Sequence, residues 1–297
     1  MRSALAAELL PRCDFPPRGA AIACAVSGGA DSLALLALAV AAGLDATAYH
    51  VDHGLRAGSA LEAEVVARAA ARLGAGFVAL RVECPPGPNL EARARALRLA
   101  ALPDGVATGH TADDQAETVL LNLLRGSGLD GLAGMRRGWR HPILGLRRHE
   151  TARLVASLGL ETVHDPSNED GAFRRNRVRR ELLPLADEIA GRDVAGLLAR
   201  EAELLAEDAA LLDRLAEAVD PTSTAALRAA PLPLARRALR RWLRGRLPGG
   251  HPPSAAAVER VLAVARGEVR ACELPGGWRV VRRAGRLVAE HRAAAEH

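Results

Sequence analysis

The sequence predicts an α/β protein. A parallel sheet with helices on both faces comes first, then a helical linker and a small α+β C-terminal domain. Three observations carry this. Short apolar runs alternate with helical periods from residue 20 to residue 124, the pattern of successive βαβ units. A Gly-Gly turn joins the first run to the first helical period. A long amphipathic stretch around residue 200 then separates this part from a shorter, strongly basic one.

The elements follow in order. Ala20–Val26 is a buried-strand run ending in Ser27-Gly28-Gly29, and a helical period holds from Asp31 to about Ala42. Ala46–Val51 reads as a strand, Ala60–Leu73 as a helix and Phe77–Val82 as a strand. Leu90–Leu102 reads as a helix, Gly105–Thr108 as a strand and Ala112–Leu124 as a helix. Arg125 to Arg148 is a Gly-rich, Arg-bearing stretch, and His164 to Arg180 a polar loop. Ala195–Val219 reads as one helix, with Leu197/Leu198, Leu204/Leu205 and Leu211/Leu212 repeating every seven residues. That leucine seam packs on its own domain or forms a homodimer. Thr222–Ala229, Leu234–Arg246 and Ser254–Arg266 read as helices. Cys272–Leu274, Trp278–Arg282 and Leu287–Glu290 are strands, the first two joined by Pro275-Gly276-Gly277. The expected domains are 1–190, a linker helix at 191–220, and 221–297.

Composition narrows the chemistry. With 49% hydrophobic and 2% aromatic residues, the core must be built from Ala, Leu and Val. The longest apolar stretch, Leu33 to Leu44, is about twelve residues where a bilayer span needs about 20. The first residues lack the apolar length of a secretion signal, so no membrane partner and a cytoplasmic location are expected. Cys13, Cys24, Cys84 and Cys272 are widely scattered, which excludes a local zinc ribbon or a C-x-x-C redox pair. All 40 basic residues are Arg. The absence of Lys excludes a Walker A lysine and a lysine Schiff base. Residues 1–220 hold 25 Arg and 30 acids, whereas residues 221–297 hold 15 Arg and 5 acids. A polyanion partner or a solvated basic face accounts for that asymmetry.

Ligands of open parallel sheets lie beyond the carboxyl ends of the strands. Ser27–Ser32, His50–Arg56 and Thr108–Asp114 all follow strands and should converge. In Ser27-Gly28-Gly29-Ala30-Asp31-Ser32 the glycines let backbone amides approach an anion, and the helix N-terminus adds about half a positive charge. Asp31 would repel bare phosphate. It makes sense with a Mg²⁺ between carboxylate and phosphates, or as an ordinary helix cap. Asp114 and Glu117, at i and i+3, share a helix face and suit an ammonium group; helix-dipole acids are the alternative.

The S-G-G-x-D-S string resembles the PP-loop of ATP pyrophosphatases, implying an adenine nucleotide α-hydrolase-like fold. Further strings narrow the resemblance to the tRNA(Ile)-lysidine synthetases. They are His50-Val51-Asp52-His53-Gly54-Leu55-Arg56, Ala94-Arg95-Ala96-Leu97-Arg98 and Thr108-Gly109-His110-Thr111-Ala112-Asp113-Asp114-Gln115-Ala116-Glu117-Thr118. Leu124-Arg125-Gly126-Ser127-Gly128, Asp165-Pro166-Ser167-Asn168 and Arg175-Asn176-Arg177-Val178-Arg179 continue it. Asp52, Leu99, Thr111 and His141 depart from the family's usual Asn, aromatic, His and Arg. The resemblance is to a short form of the family.

What this implies is ATP-driven ligation of free lysine to the wobble cytidine of a CAU-anticodon tRNA(Ile), through an adenylated intermediate. ATP and Mg²⁺ are the implied cofactors. Ser27, Gly28, Gly29, Ala30, Asp31, Ser32, His50, Val51, His53, Gly109 and His110 would line the nucleotide, with Asp31 the metal ligand. Asp31, Arg95, Arg98, Asp114 and Glu117 would carry the chemistry, the last two holding lysine. Arg125, Arg175, Arg177, Arg237, Arg240, Arg241 and Arg244 would contact tRNA, the last four as a stripe on one helix face. The related tRNA thiolation chemistry needs paired cysteines, which this sequence lacks.

Overall fold

The computed structural model describes residues 3–52, 59–82, 93, 97, 100–163, 173–246 and 253–291. It divides into two compact units, Met1–Ala206 and Glu207–His297. Among the described residues no helix is long and apolar enough to cross a membrane.

The first unit is built on a parallel four-stranded sheet in the order β3-β2-β1-β4. The strands are β1 (Ala21–Ala25), β2 (Asp45–Asp52), β3 (Gly76–Arg81) and β4 (Ala107–Thr108). Register is set by Ala21↔Asp45 and Thr47↔Gly76, and by Cys24↔Ala107 on the other side of β1. From β1 the chain moves outward to β2 and β3, then returns to place β4 on the opposite side of β1. The crevice between β1 and β4 is therefore the switch point where such sheets bind ligands.

Helix α1 is Ala4–Leu9, α2 is Ala30–Ala41 and α3 is Ser59–Leu73. α2 is apolar all round because it is buried all round: Leu33, Leu35, Leu36 and Leu38 are each fully inaccessible. Each contributes about 1.5–3 kcal/mol by burial, which fixes the helix whose N-terminus faces the crevice. Helix α4 is Ala112–Leu124, followed by the short α5 (Leu129–Leu132) and by α6 (Arg148–Ser157). α6 stands at the end of the Arg-bearing stretch, where the sequence pattern predicts no element. α7 (Arg174–Arg177), a π-type turn over Val178–Leu182 and α8 (Leu183–Ala190) follow. Residues 174–180 are thus helical rather than a loop; the rest of the expected loop, 164–172, lies outside the described residues. The expected helix Leu90–Leu102 is described only in part.

α9 (Val194–Glu217) crosses from the first unit into the second. Its leucine seam is not what it buries. The buried seventh positions are Ala195, Ala202, Ala209 and Ala216, while Leu204, Leu211 and Leu215 are exposed. Alanine permits a closer backbone approach than leucine, so a seam of alanines packs on its neighbours and leaves the leucines on its flanks.

The second unit holds α10 (Thr224–Ala229), α11 (Leu232–Arg244) and α12 (Ala255–Arg266) with an antiparallel sheet β5-β6-β7. The strands are Ala271–Leu274, Trp278–Arg283 and Arg286–His291. Leu239, Leu243, Val261, Leu262 and Val280 form its core.

Candidate functional site

The loop after β1 is closed by its own side chains. Ser27 N–H donates to Ser32 Oγ at 3.2 Å, and Ser32 Oγ donates to the Gly29 carbonyl at 2.8 Å. Gly28 sits at φ +91°, a conformation that costs other residues, and a Cβ there would lie 2.6 Å from Val163 Cγ2. Its carbonyl accepts the Val163 N–H at 2.9 Å, so residue 163 covers the loop. Gly29 is the N-cap of α2 and has no side chain to cap the first-turn amides. Those amides and the helix dipole form a phosphate-type cradle.

The other strand ends come to this loop. His50 is buried, and its Nδ1–H donates to the Val26 carbonyl at 2.9 Å, joining the end of β2 to the exit of β1. Val51 is half-buried in β2; His53, Arg95 and Arg98 lie outside the described residues. Gly109 follows β4, and a Cβ on it would stand 2.7 Å from the Asp31 carbonyl oxygen and 2.9 Å from Ser32 Cα. Both are backbone atoms of the α2 first turn and cannot swing away. Gly109→Ala should therefore push the cradle open, raising the KM for ATP at least tenfold while the melting temperature falls by only a few degrees. An unchanged KM for ATP would show that this contact does not shape the cradle.

Beside Gly109, Thr108 Oγ1 contacts His110 Nδ1 at 2.7 Å and His141 Nδ1 at 2.8 Å, and the two rings meet edge to face at 5.2 Å. One hydroxyl has one proton, so at least one histidine donates through Nδ1. Burial and Arg140 hold His141 below the ordinary histidine range.

A second constellation lies on α4 and α6. Thr111 caps α4, and Asp114 completes the capping box: its Oδ2 accepts the Thr111 N–H and hydroxyl, both at 2.9 Å. The other oxygen, Oδ1, faces Arg148 Nη2 at 3.1 Å and Arg175 Nη2 at 3.2 Å. Asp114 is therefore both helix cap and site residue. Glu117 is fully buried and meets three guanidinium groups. Arg175 Nε and Arg179 Nε each donate to it at 2.6 Å, and Arg148 Nη2 at 3.2 Å. Arg148 continues to Asp31, with Nε 3.4 Å from Oδ2, and Thr151 Oγ1 also donates to Asp31. Asp31, Asp114 and Glu117 thus stand against Arg148, Arg175 and Arg179, three charges of each sign. The π-type turn after Arg177 helps bring Arg175 and Arg179 to one carboxylate.

The carboxylates respond differently. Burial raises the pKa of Asp31, and the neighbouring Asp114 adds to this; Thr151 and Arg148 only partly offset it. Burial pushes Asp114 up too, but Arg148, the Thr111 amide and Arg175 outweigh it and hold the group below its usual range. Asp113 points away from this cluster and pins α6. It takes Arg147 through both oxygens, at 3.1 and 2.9 Å, and the Arg148 N–H at 2.7 Å. Arg148 and Thr151 carry no sequence signal, being one Arg among 40 and one Thr on a helix the periodicity does not reveal. Their only mark is proximity to a Pro142–Leu144 string that forms part of a motif.

Other candidates stay apart. Arg177 is exposed and pairs with Glu181 at 2.9 Å, and Arg125 is exposed at the end of α4. On α11, the expected open stripe does not form. Arg237 is 11% exposed and bonded to Asp213 at 2.5 Å, Arg240 is half-buried, and only Arg241 and Arg244 are exposed. The apolar face of α11 turns Arg237 and Arg240 toward protein at its edges. Among the described residues, no group of three His, Cys, Asp or Glu could hold a metal ion. A Mg²⁺ that keeps its waters and rides on phosphates needs only one or two carboxylates, and Asp31 fits that requirement.

Comparison with known proteins agrees with this geometry. Residues 6–186 match the PP-loop domain family, and residues 223–288 match the TilS substrate binding domain. The tRNA(Ile)-lysidine synthase of Nocardia farcinica is 46% identical over 77% of this chain and 77% of its own length. That of Rhodococcus erythropolis is 44% identical over 77% and 75%. Among solved structures, the U34-tRNA thiolase NcsA from Methanococcus maripaludis shares the fold at a TM-score of 0.52. It is 17% identical, with 68% of this chain and 80% of that one covered.

Proposed function

The chain belongs to the tRNA(Ile)-lysidine synthase family, and from that premise we propose that it forms lysidine at the wobble cytidine of CAU-anticodon tRNA(Ile). The observation that carries the reading is the carboxylate–guanidinium cluster set directly against the PP-loop. Such an arrangement can handle a polyphosphate and an ammonium group side by side.

In this reading the cytidine leaves its stack and presents its 2-carbonyl oxygen to the α-phosphorus of ATP. The O–P bond forms, pyrophosphate departs, and the tRNA is left adenylated. The ε-amine of free lysine then bonds to C2, AMP leaves, and the ammonium proton is released. The Ser27–Ser32 amides cradle the departing phosphates, and Gly109 keeps that cradle closed. Asp31 would hold Mg²⁺, which supplies positive charge to the pyrophosphate when bound. Asp114 and Glu117 bind the lysine ammonium; their arginine partners supply the cations for the phosphates. ATP therefore draws Arg148, Arg175 and Arg179 off the carboxylates and makes room for lysine. Arg95, Arg98 and His53 belong to the same proposal through their motifs. The reaction belongs in the cytoplasm, where its tRNA substrate is. A homodimer would use the exposed Leu204, Leu211 and Leu215, and sedimentation velocity tests it.

We assign residues 1–190 to catalysis, 191–220 to the linker and 221–297 to tRNA binding. Arg241 and Arg244, rather than Arg237, are then the phosphate contacts on α11. Replacing both by Gln should flatten the dependence of tRNA affinity on salt by about 0.7–0.9 log units for each phosphate no longer neutralised. Arg237→Gln should instead lower the melting temperature with little change in slope, because it breaks the pair with Asp213. An unchanged slope in the double variant would leave α11 without a role in RNA binding. Incubation with labelled lysine, ATP and unmodified tRNA(Ile) tests the whole reading: no label in the tRNA would end it.

A further inference from the structure

The chain has three Trp, one Tyr and three Phe, and of these Trp139 alone is exposed, at 50%. In a protein so poor in aromatics, the position is unusual in two further ways. Trp139 and Arg140 form the tip of a tight turn in which His141 N–H donates to the Gly138 carbonyl at 2.8 Å, with Gly138 at φ +140°. That turn is fastened to the rim of the crevice. Thr108 N–H donates to the Arg140 carbonyl at 2.9 Å, and Thr108 is the residue before Gly109, which touches Asp31.

The ring is also held in one orientation. A Cβ at Gly105 would meet Trp139 Cη2 at 2.4 Å, so one edge of the indole is seated on that glycine. The Arg140 guanidinium lies 5.4 Å from the ring centroid. Arg136-Arg137-Gly138-Trp139-Arg140 therefore places a fixed, half-exposed indole among cations. A fixed aromatic surface flanked by arginines is what unpaired nucleobases stack on. Packing alone accounts for the seated edge, not for the exposed half.

We propose that Trp139 is a stacking platform for an unpaired base of the anticodon loop, next to the cytidine that enters the crevice. The inference rests on the tRNA reading above and adds a base-binding subsite to it. Loss of one stacked base corresponds to a drop in affinity of about 5- to 150-fold.

The test uses the full chain, unmodified tRNA(Ile) and the anticodon stem-loop RNA alone. Trp139→Ala should raise the KM for tRNA by that factor while the KM values for ATP and lysine hold. Trp139→Phe, which keeps a ring, should recover most of the loss. In the unsubstituted protein, adding the stem-loop should quench tryptophan emission, and Trp139→Phe should remove that quenching. Lysidine formation by the unsubstituted protein separates the two claims. If it is absent, the functional reading fails. If it is present while Trp139→Ala has an unchanged KM for tRNA, or the stem-loop leaves the emission unchanged, the platform is overturned. Constant KM values for ATP and lysine exclude misfolding as the cause.

Discussion

Asp31→Asn should lower ATP-dependent pyrophosphate release by two to three orders of magnitude, in a protein that folds as well as the original or better. The rate follows from the position of the carboxylate. It lies in the first turn of α2, within a phosphate cradle, where its charge is useful only with a cation at the leaving group. Removing one charged or hydrogen-bonding group aimed at developing charge costs about a hundred- to a thousandfold. The stability expectation comes from the direction of its pKa. Burial raises the Asp31 carboxyl above its unfolded value, so the fold binds that proton more tightly than the unfolded chain. Its contribution is favourable at low pH and is lost as pH rises through the raised pKa. At neutral pH the ionised group therefore works against folding, and the isosteric amide removes that cost. Thr151 and Arg148 can still donate to the amide oxygen. A carboxylate kept against its own stability marks function rather than packing. Near-normal pyrophosphate release would take Asp31 out of the chemistry. A lower melting temperature would make it a structural residue.

The fold was legible where local pattern and tertiary role coincide. β1, its Gly-Gly turn and α2 read clearly because a buried strand and an all-round buried helix leave unbroken apolar runs. α6 was not legible, since Arg148-His149-Glu150-Thr151-Ala152-Arg153 offers no apolar stripe before Leu154. What orders it is Asp113, 34 residues away from Arg147, and no local window contains that partner. The same holds for the site. Asp114 and Glu117 were visible at helical spacing, but their partners came from a helix with no periodic signal and from residues read as a loop. The seam of α9 failed for a different reason. Leucine dominates any hydropathy pattern, yet the close packing falls to the alanines between, which carry almost no weight in it.

Glu117→Gln should raise the KM for lysine by about ten- to a hundredfold, the loss of one charge-assisted hydrogen bond to an ammonium, and should also destabilise the fold. Asp114→Asn should match it in KM but not in stability. Glu117 is buried and receives Arg148, Arg175 and Arg179 through its two oxygens. The amide leaves three guanidinium groups around a neutral side chain whose NH₂ faces one or more of them. Breaking a buried charge pair from one side typically costs about 3–5 kcal/mol. Asp114 differs because its work is divided between two oxygens. In Asp114→Asn the amide can keep its carbonyl on the Thr111 N–H and hydroxyl, preserving the cap, and turn its NH₂ toward the arginines. The contribution of the Asp114 carboxylate to stability also has a direction in pH. The group is held below its ordinary range, so that stability is complete above the unfolded pKa and is lost as pH falls through the lowered one. Ligand order separates a lysine site from an internal salt-bridge network. If ATP takes the guanidiniums, lysine should bind more tightly to the ATP-loaded protein than to the free one, and Glu117→Gln should remove that difference. KM for ATP should change little in either variant. An unchanged lysine KM in both variants, with stability lost in Glu117→Gln, would make the cluster a structural clamp between α4, α6 and residues 174–182.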